Sequence, residues 1–228
     1  MEPAAQLAAA LGCGYTTKWE TMDRSADMYI IAISDQALEG VGRELSLPGK
    51  LVVHTAGAVS ADVLLPVSLN SGVLYPLQSL RSNIRPFPEL PLLIAAHQPA
   101  DLPVIETFAR TISPQVSYAD DATRLKLHVA AILTSNFTNY LYTLAADFCR
   151  QEKLDFRLLL PLILETAERL ERFPPQEVQT GPARRGDKTT IERHLQLLDN
   201  YVNTKKLYEL FTLQIEAYYR PGEIPAGE

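Results

Sequence analysis

The residues best suited to chemistry fall in a few places along the chain. The stretch Gln179-Thr180-Gly181-Pro182-Ala183-Arg184-Arg185-Gly186-Asp187 holds two arginines between a Gly-Pro and a Gly-Asp pair. A plain connection between helices needs one such break, and this one has two. Backbone amides and guanidinium groups on a rigid turn suit an anionic ligand or a substrate carboxylate, which makes Thr180, Gly181, Arg184, Arg185 and Asp187 candidate substrate contacts. A surface loop with solvated arginines reads the same way. Arg185-Gly186-Asp187 also matches an adhesion tripeptide, but nothing else in the chain has an extracellular character. Further upstream, His128, Ser135 and Asn139 recur at spacings of seven and four, with Asn136 beside them. On a helix this is one polar stripe. His128 suits proton transfer because imidazole titrates near neutrality. Ser135, Asn136 and Asn139 suit the orientation of a polar group on a substrate. Satisfied core residues would give the same pattern.

These residues need elements to position them. Met28 to Ile33 is a short apolar run expected to form a strand buried on both faces. Ser34-Asp35 then caps a helix to about Leu45, and Lys50 to His54 reads as a second buried strand followed by Thr55-Ala56-Gly57. Strand, helix and strand, with small polar residues after each strand, form the pattern of a parallel α/β sheet. Ligands of such sheets bind beyond the carboxyl ends of the strands, so Ser34, Asp35, Thr55, Ala56 and Gly57 are expected at a crevice. Ordinary caps and turns would use the same residue types. Further strands are expected at Val73–Tyr75, Leu92–Ala96 and Val116–Tyr118, with a helix over roughly 102–111 and a proline-rich connector at Pro86, Pro88 and Pro91.

The second half is helical. From Asp120-Asp121 to about Gln151 there is neither Gly nor Pro, which predicts a rod of roughly 45 Å. Apolar residues lie nearly all round it, as for a helix inside a bundle or between subunits. A second helix over 154–173 is expected to kink at Pro161. Thr189-x-x-Glu192 fits a capping box opening a helix that carries His194. A final helix passes through Leu207, Phe211 and Ile215, and the tail from Pro221 to Glu228 is expected to be disordered.

Composition narrows the class. A chain of 228 residues with 46% hydrophobic and 21% charged content is ordinary for a globular protein. The net charge of −6 argues against general nucleic-acid binding. Cys13 and Cys149 stand far apart and alone, so neither a disulfide framework nor a metal site is expected. No run of about 20 apolar residues would span a bilayer, and no signal peptide opens the chain. A cytoplasmic location is therefore expected. Gly12-Cys13-Gly14 leaves a helix rather than a strand and reads as a helix stop, not as a dinucleotide fingerprint. No Gly-x-Ser-x-Gly elbow supports a hydrolase.

The chain resembles a two-part family with a Rossmann-like N-terminal half and a helical C-terminal half of unknown function. That family is similar in layout to pyrroline-5-carboxylate reductase and to deazaflavin-dependent NADP oxidoreductases. Ile31 to Asp35, His54 to Gly57, Tyr75-Pro76-Leu77-Gln78, His128 to Phe137, Leu160 to Ile163, Gln179 to Asp187 and His194-Leu195 carry the resemblance. It implies an incomplete Rossmann-like parallel sheet over 1–119 and an all-α dimerisation domain over 120–228. It also implies an NAD(P)-dependent oxidoreductase; the arginines of the 179–187 stretch point to a small anionic substrate, and the apolar rod to a homodimer. Members open with a strand, a glycine-rich turn and a helix, whereas this sequence starts at what looks like the following helix. On that expectation the phosphate cradle is missing, the Met28–Ile33 strand has one edge stripped, and the chain itself binds NAD(P) poorly or not at all. A non-catalytic dimeric binding or scaffold protein is the alternative. A pocket is expected between the halves, lined by Thr55–Gly57, His128, Asn136 and Thr180–Asp187.

Overall fold

The computed structural model describes residues 3–80 and 89–220. The tail from Pro221 and part of the proline-rich connector lie outside the described residues. Two compact units divide the chain, Met1–Phe137 and Thr138–Glu228.

The first unit is built on a five-stranded sheet in the order β1-β2-β3-β4-β5. Helix α1 (Pro3–Leu11) precedes it and ends at Gly12, whose φ of +65° turns the chain out of the helix. Strand β1 (Met28–Ile31) pairs in parallel with β2 (Leu51–His54) through helix α2 (Asp35–Glu44). Strand β2 pairs in parallel with β3 (Ser71–Pro76). Strand β4 (Leu92–Ala96) then returns antiparallel to β3. Helix α3 (Leu102–Ile112) carries the chain to β5 (Val116–Tyr118), parallel to β4. The fold is thus α/β with a mostly parallel Rossmann-like sheet. Among the described strands β3 and β4 form the one antiparallel pair.

Alternation along β2 sends Val52 into one core with Leu38, Val41 and Leu64, and Leu51 and Val53 into another with Ile94, Ile105 and Ala109. Helix α2 presents Leu38 and Val41 three apart, and α3 presents Ile105 and Ala109 four apart, so each lays one stripe on the sheet. Strand β1 departs from the expectation of burial on both faces. It stands at the edge of the sheet, where a strand has only one neighbour, and Ile30 is 45% exposed.

Helix α4 (Asp121–Ala131) closes the first unit with a six-residue π-helical segment, Ile132–Phe137. The Asp120 carboxylate caps α4 by accepting from the Thr123 amide at 2.8 Å. The second unit opens with α5 (Thr138–Gln151). Helix α6 (Leu160–Glu168) carries Pro161 in its first turn, so this proline starts the helix instead of kinking it. The Gly-Pro-Arg stretch forms a single turn, α7 (Pro182–Arg185), between Gly181 at φ +103° and Gly186 at φ +69°. Helices α8 (Lys188–Leu197) and α9 (Val202–Tyr219) follow. The cap of α8 differs from the expected Thr189/Glu192 box. Asp187 accepts from the Thr190 amide at 3.0 Å and from its hydroxyl at 2.7 Å.

Candidate active site

A cleft of about 570 Å³ lies within the first unit. It occupies the carboxyl-terminal side of β2 and β3, as expected of a parallel α/β sheet. The Thr55-Ala56-Gly57 turn leaves β2, Tyr75 is the penultimate residue of β3 with Leu77, Gln78 and Ser79 beyond the strand, and Asp35 opens α2. Helix α4 and the π segment supply the opposite wall with His128, Ile132, Ser135 and Asn136. Asp35, Thr55, Ala56, Gly57, His128, Ser135 and Asn136 are therefore gathered in one cleft. Ser34 is the residue before α2 and lies outside its lining, and Asn139 belongs to the second unit.

At the centre of the cleft, Tyr75 Oη and His128 Nδ1 are 3.0 Å apart, with the rings edge to face. The pair sits over Gly57. A Cβ there would lie 2.6 Å from His128 Nδ1 and 2.9 Å from Tyr75 Oη, so only glycine leaves the hydrogen bond room. Burial pushes the Tyr75 phenol up, and the Asp35 carboxylate adds to this while the Arg124 guanidinium opposes it. The phenol thus keeps its proton. Nearby, Ser79 Oγ and Ser135 Oγ are 2.9 Å apart, tying the segment after β3 to the π segment. The wider turn of that segment is a local departure that often accompanies functional sites.

Buried groups support this floor. His54 is fully buried; its Nδ1 accepts from the Ala56 amide at 3.2 Å, so the ring proton lies on Nε2, 3.2 Å from the Ser60 carbonyl. Burial drives its pKa down to about 4. Arg124 is 1% exposed and donates to the Val59 carbonyl and to Asp121, 2.8 Å away. Its Nε and Nη1 have no hydrogen-bond partner among the described residues. Asp121 also accepts from the Ala61 amide. Burial works to raise its pKa, but the hydrogen bonds from Ser60, Arg124 and Ala61 hold it below the usual carboxylate range. Tyr75 and Arg124 were not singled out from sequence as site residues. A tyrosine closing a central strand carries a local signal, whereas an arginine on a helix normally reads as solvated.

The glycine-arginine loop stands in the second unit. Thr180 and Gly181 line an apolar cavity of about 550 Å³ there, with Leu144, Phe148, Leu207 and Phe211. The Arg184 guanidinium lies 4.8 Å from the centre of the Tyr219 ring, a cation–π contact. Arg184 and Arg185 are exposed, and Asp187 is committed to its cap. His194 Nδ1 is 2.7 Å from Tyr208 Oη.

A dinucleotide makes two demands, a wall for the nicotinamide ring and a glycine-rich cradle for the pyrophosphate. The Thr55–Gly57 turn and the cleft beside it suit the ring. Among the described residues no glycine-rich turn leaves a strand and opens a helix. Gly12 and Gly14 follow α1 and precede the first strand, and an added Cβ at either meets nothing within 4 Å. The residues present therefore fit one end of the cofactor and not the other. No group of three His, Cys, Asp or Glu side chains among the described residues is placed to hold a metal ion. No helix among them is long and apolar enough to cross a membrane.

A mostly parallel sheet with its cleft at the carboxyl ends of the strands, followed by a helical unit, defines a Rossmann-like two-part protein. Residues 90–215 match the family model described as a domain of unknown function, DUF2520, and the chain belongs to that family. Among solved structures, a Bacteroides fragilis protein provisionally named an NADP oxidoreductase is 35% identical. The match covers 93% of this chain and 84% of that one, with a TM-score of 0.85. A Thermotoga maritima protein is 19% identical over 97% of this chain and 88% of its own, with a TM-score of 0.72. An imine reductase from Myxococcus stipitatus, in complex with NADP+, shares the fold at 15% identity and a TM-score of 0.61, over 96% and 83% of the two chains. Comparison with curated proteins finds no match.

Proposed function

We propose that the chain is an NAD(P)-dependent oxidoreductase in type, acting on a small molecule in the first unit's cleft and assembling as a homodimer through its helical unit. The Tyr75–His128 pair over Gly57 is the observation that carries this reading. It is a proton-handling group at the strand ends, where a nicotinamide ring and a substrate would meet. The 35% identity to a protein provisionally named an NADP oxidoreductase supports it. In this reading Thr55, Ala56 and Gly57 back the ring, with Ser34 and Asp35 at the neighbouring strand end. His128, Ser135 and Asn136 serve the substrate. In the second unit Arg184 and Arg185, with Thr180, Gly181 and Asn139, are the proposed means of holding an anionic group, while Asp187 serves as the α8 cap. The bound cofactor would accept or supply hydride. The chain's own residues position the substrate and move its proton. A cytoplasmic location goes with this reading.

The second reading, a non-catalytic binding or scaffold protein, draws its support from the lack of a pyrophosphate cradle among the described residues. Titration with reduced nicotinamide mononucleotide and with NADPH, followed by amide NMR shifts, separates the two. The oxidoreductase reading expects both ligands to shift Thr55–Gly57 with comparable weak affinities, because the described residues offer a wall suited to the ring and no cradle for the pyrophosphate. Tight NADPH binding would overturn the argument about the cradle. No shift at Thr55–Gly57 with either ligand would favour the scaffold.

A further inference from the structure

We infer that Tyr75 Oη is the end of the Tyr75–His128 pair that exchanges a proton with the ligand, and that His128 serves the substrate through it as the proton store of a two-residue relay. The inference deepens the oxidoreductase reading and rests on it for treating the cleft as a reacting site. Tyr75 Oη and His128 Nδ1 are 3.0 Å apart, and both residues line the cleft. The hydrogen bond has two arrangements. With Nδ1 unprotonated, the phenol donates to it, and the free lone pairs of Oη are left to accept from a ligand N–H or O–H. With the imidazole doubly protonated, Nδ1–H donates to Oη, and the phenol hydrogen is left to donate to a ligand atom. Passage between the two is a proton transfer that balances. The ligand N–H or O–H bond breaks and its electron pair stays on the ligand atom. The proton forms a new bond to Oη while the original phenol proton moves to Nδ1, leaving an imidazolium. The reverse sequence returns a proton to the ligand.

The surroundings suit Tyr75 to this place in the chain of transfer. Burial keeps the phenol protonated at neutral pH, so it relays a proton without resting as a phenolate. Asp35 from α2 and Arg124 from α4 are the charges acting on it, in opposite directions. His54, on β2, is neutral near pH 7. Gly57 then has a specific part as a positioning residue. An added Cβ would fall within 3 Å of Nδ1, of Oη and of the phenol Cζ, at the hydrogen bond itself. Tyr75 is only 9% exposed, so an alanine methyl at position 57 would part the two groups chiefly by displacing the His128 ring, which is the less buried of the two.

The test uses residues 1–228 labelled with 13Cζ-tyrosine and 15N-histidine. The resonances are followed by NMR from pH 5 to 9, with pyrrolidine and cyclopentanol as N–H and O–H probes. In the wild type the Tyr75 Cζ signal should titrate with the same midpoint as His128 and should shift saturably with at least one probe. His128→Gln keeps an acceptor for the phenol but cannot take a proton. It should abolish the inflection at Tyr75 while leaving the probe-induced shift. Gly57→Ala should uncouple the two titrations with the fold intact by circular dichroism. Independent midpoints in the wild type, or probes that shift His128 and leave Tyr75 unmoved, would overturn the relay. Neither readout needs turnover or NADPH, so a failed nicotinamide titration and a failed relay are separate results.

Discussion

His54 shows how one side chain is settled by its surroundings. Burial holds it neutral, with its pKa at about 4 against the ordinary value near 6.5. The unfolded chain takes up this proton as pH falls through about 6.5, and the folded chain only near 4. The unfolded state therefore binds more protons throughout that window, and stability rises with pH across it. The difference amounts to roughly 3 kcal/mol as an upper figure, gained between about pH 4 and 6.5. Urea melts at pH 4.5 and 7 should show the loss at the lower pH. His54→Asn should be less stable at neutral pH and have a flatter profile. An unchanged slope in that variant would assign the pH dependence to other groups. Arg124 is the opposite case, a charge kept inside by a carbonyl and a carboxylate. Burying a guanidinium is tolerable only where such partners hold it.

At the scale of elements, local signals and tertiary demands part company at the helix ends. The Thr189-x-x-Glu192 pattern is a legitimate capping box, yet Asp187 takes the cap. The left-handed Gly186 ends α7 one residue earlier and leaves Asp187 at the start of α8, where its carboxylate reaches Thr190. Asp187→Ala should therefore cost about 1 kcal/mol. Glu192→Ala should be close to neutral, and thermal melts of the two variants check the order. Equal losses would restore the expected box. Gly186 itself disfavours any side chain because its φ of +69° is left-handed; the Arg220 guanidinium that a Cβ would meet is the movable end of a long side chain. The π segment had no sequence signal of its own. Ile132–Phe137 carries neither Gly nor Pro, and its wider turn is a feature of the folded helix only.

For the whole molecule, the outstanding fact is apolar surface left in the open. Leu158, Leu162 and Leu164 are exposed by 77%, 61% and 61%, and Leu133 and Phe137 by more than half. Monomeric proteins seldom expose contiguous apolar patches of large area. A homodimer through the helical unit is the corresponding expectation, and sedimentation at micromolar concentration should find it. Leu162→Glu with Leu164→Glu should shift the species to monomer without loss of helicity by circular dichroism. A wild-type monomer would refute it.

Much of this protein was legible in its residues because the relevant physics is local. The α/β pattern followed from apolar runs and turns, and Thr55–Gly57 could be placed at the crevice because strand ends bind ligands in such sheets. His128 and Ser135 shared a face by helical spacing, with Asn136 beside them, whereas Asn139 of the same stripe falls in the second unit. The rest depended on residues far apart in the chain. Strand β1 is apolar as a buried strand would be; the resemblance implied a stripped edge, and the strand order leaves β1 with β2 as its one neighbour among the described residues. Tyr75 and His128 are 53 residues apart, and only the packing of α4 against the end of β3 brings them to hydrogen-bond distance over Gly57. Sequence determined which groups were available and which face of each element carried them. Tertiary structure decided which met, because proximity, burial and the resulting pKa shifts are properties of the folded chain.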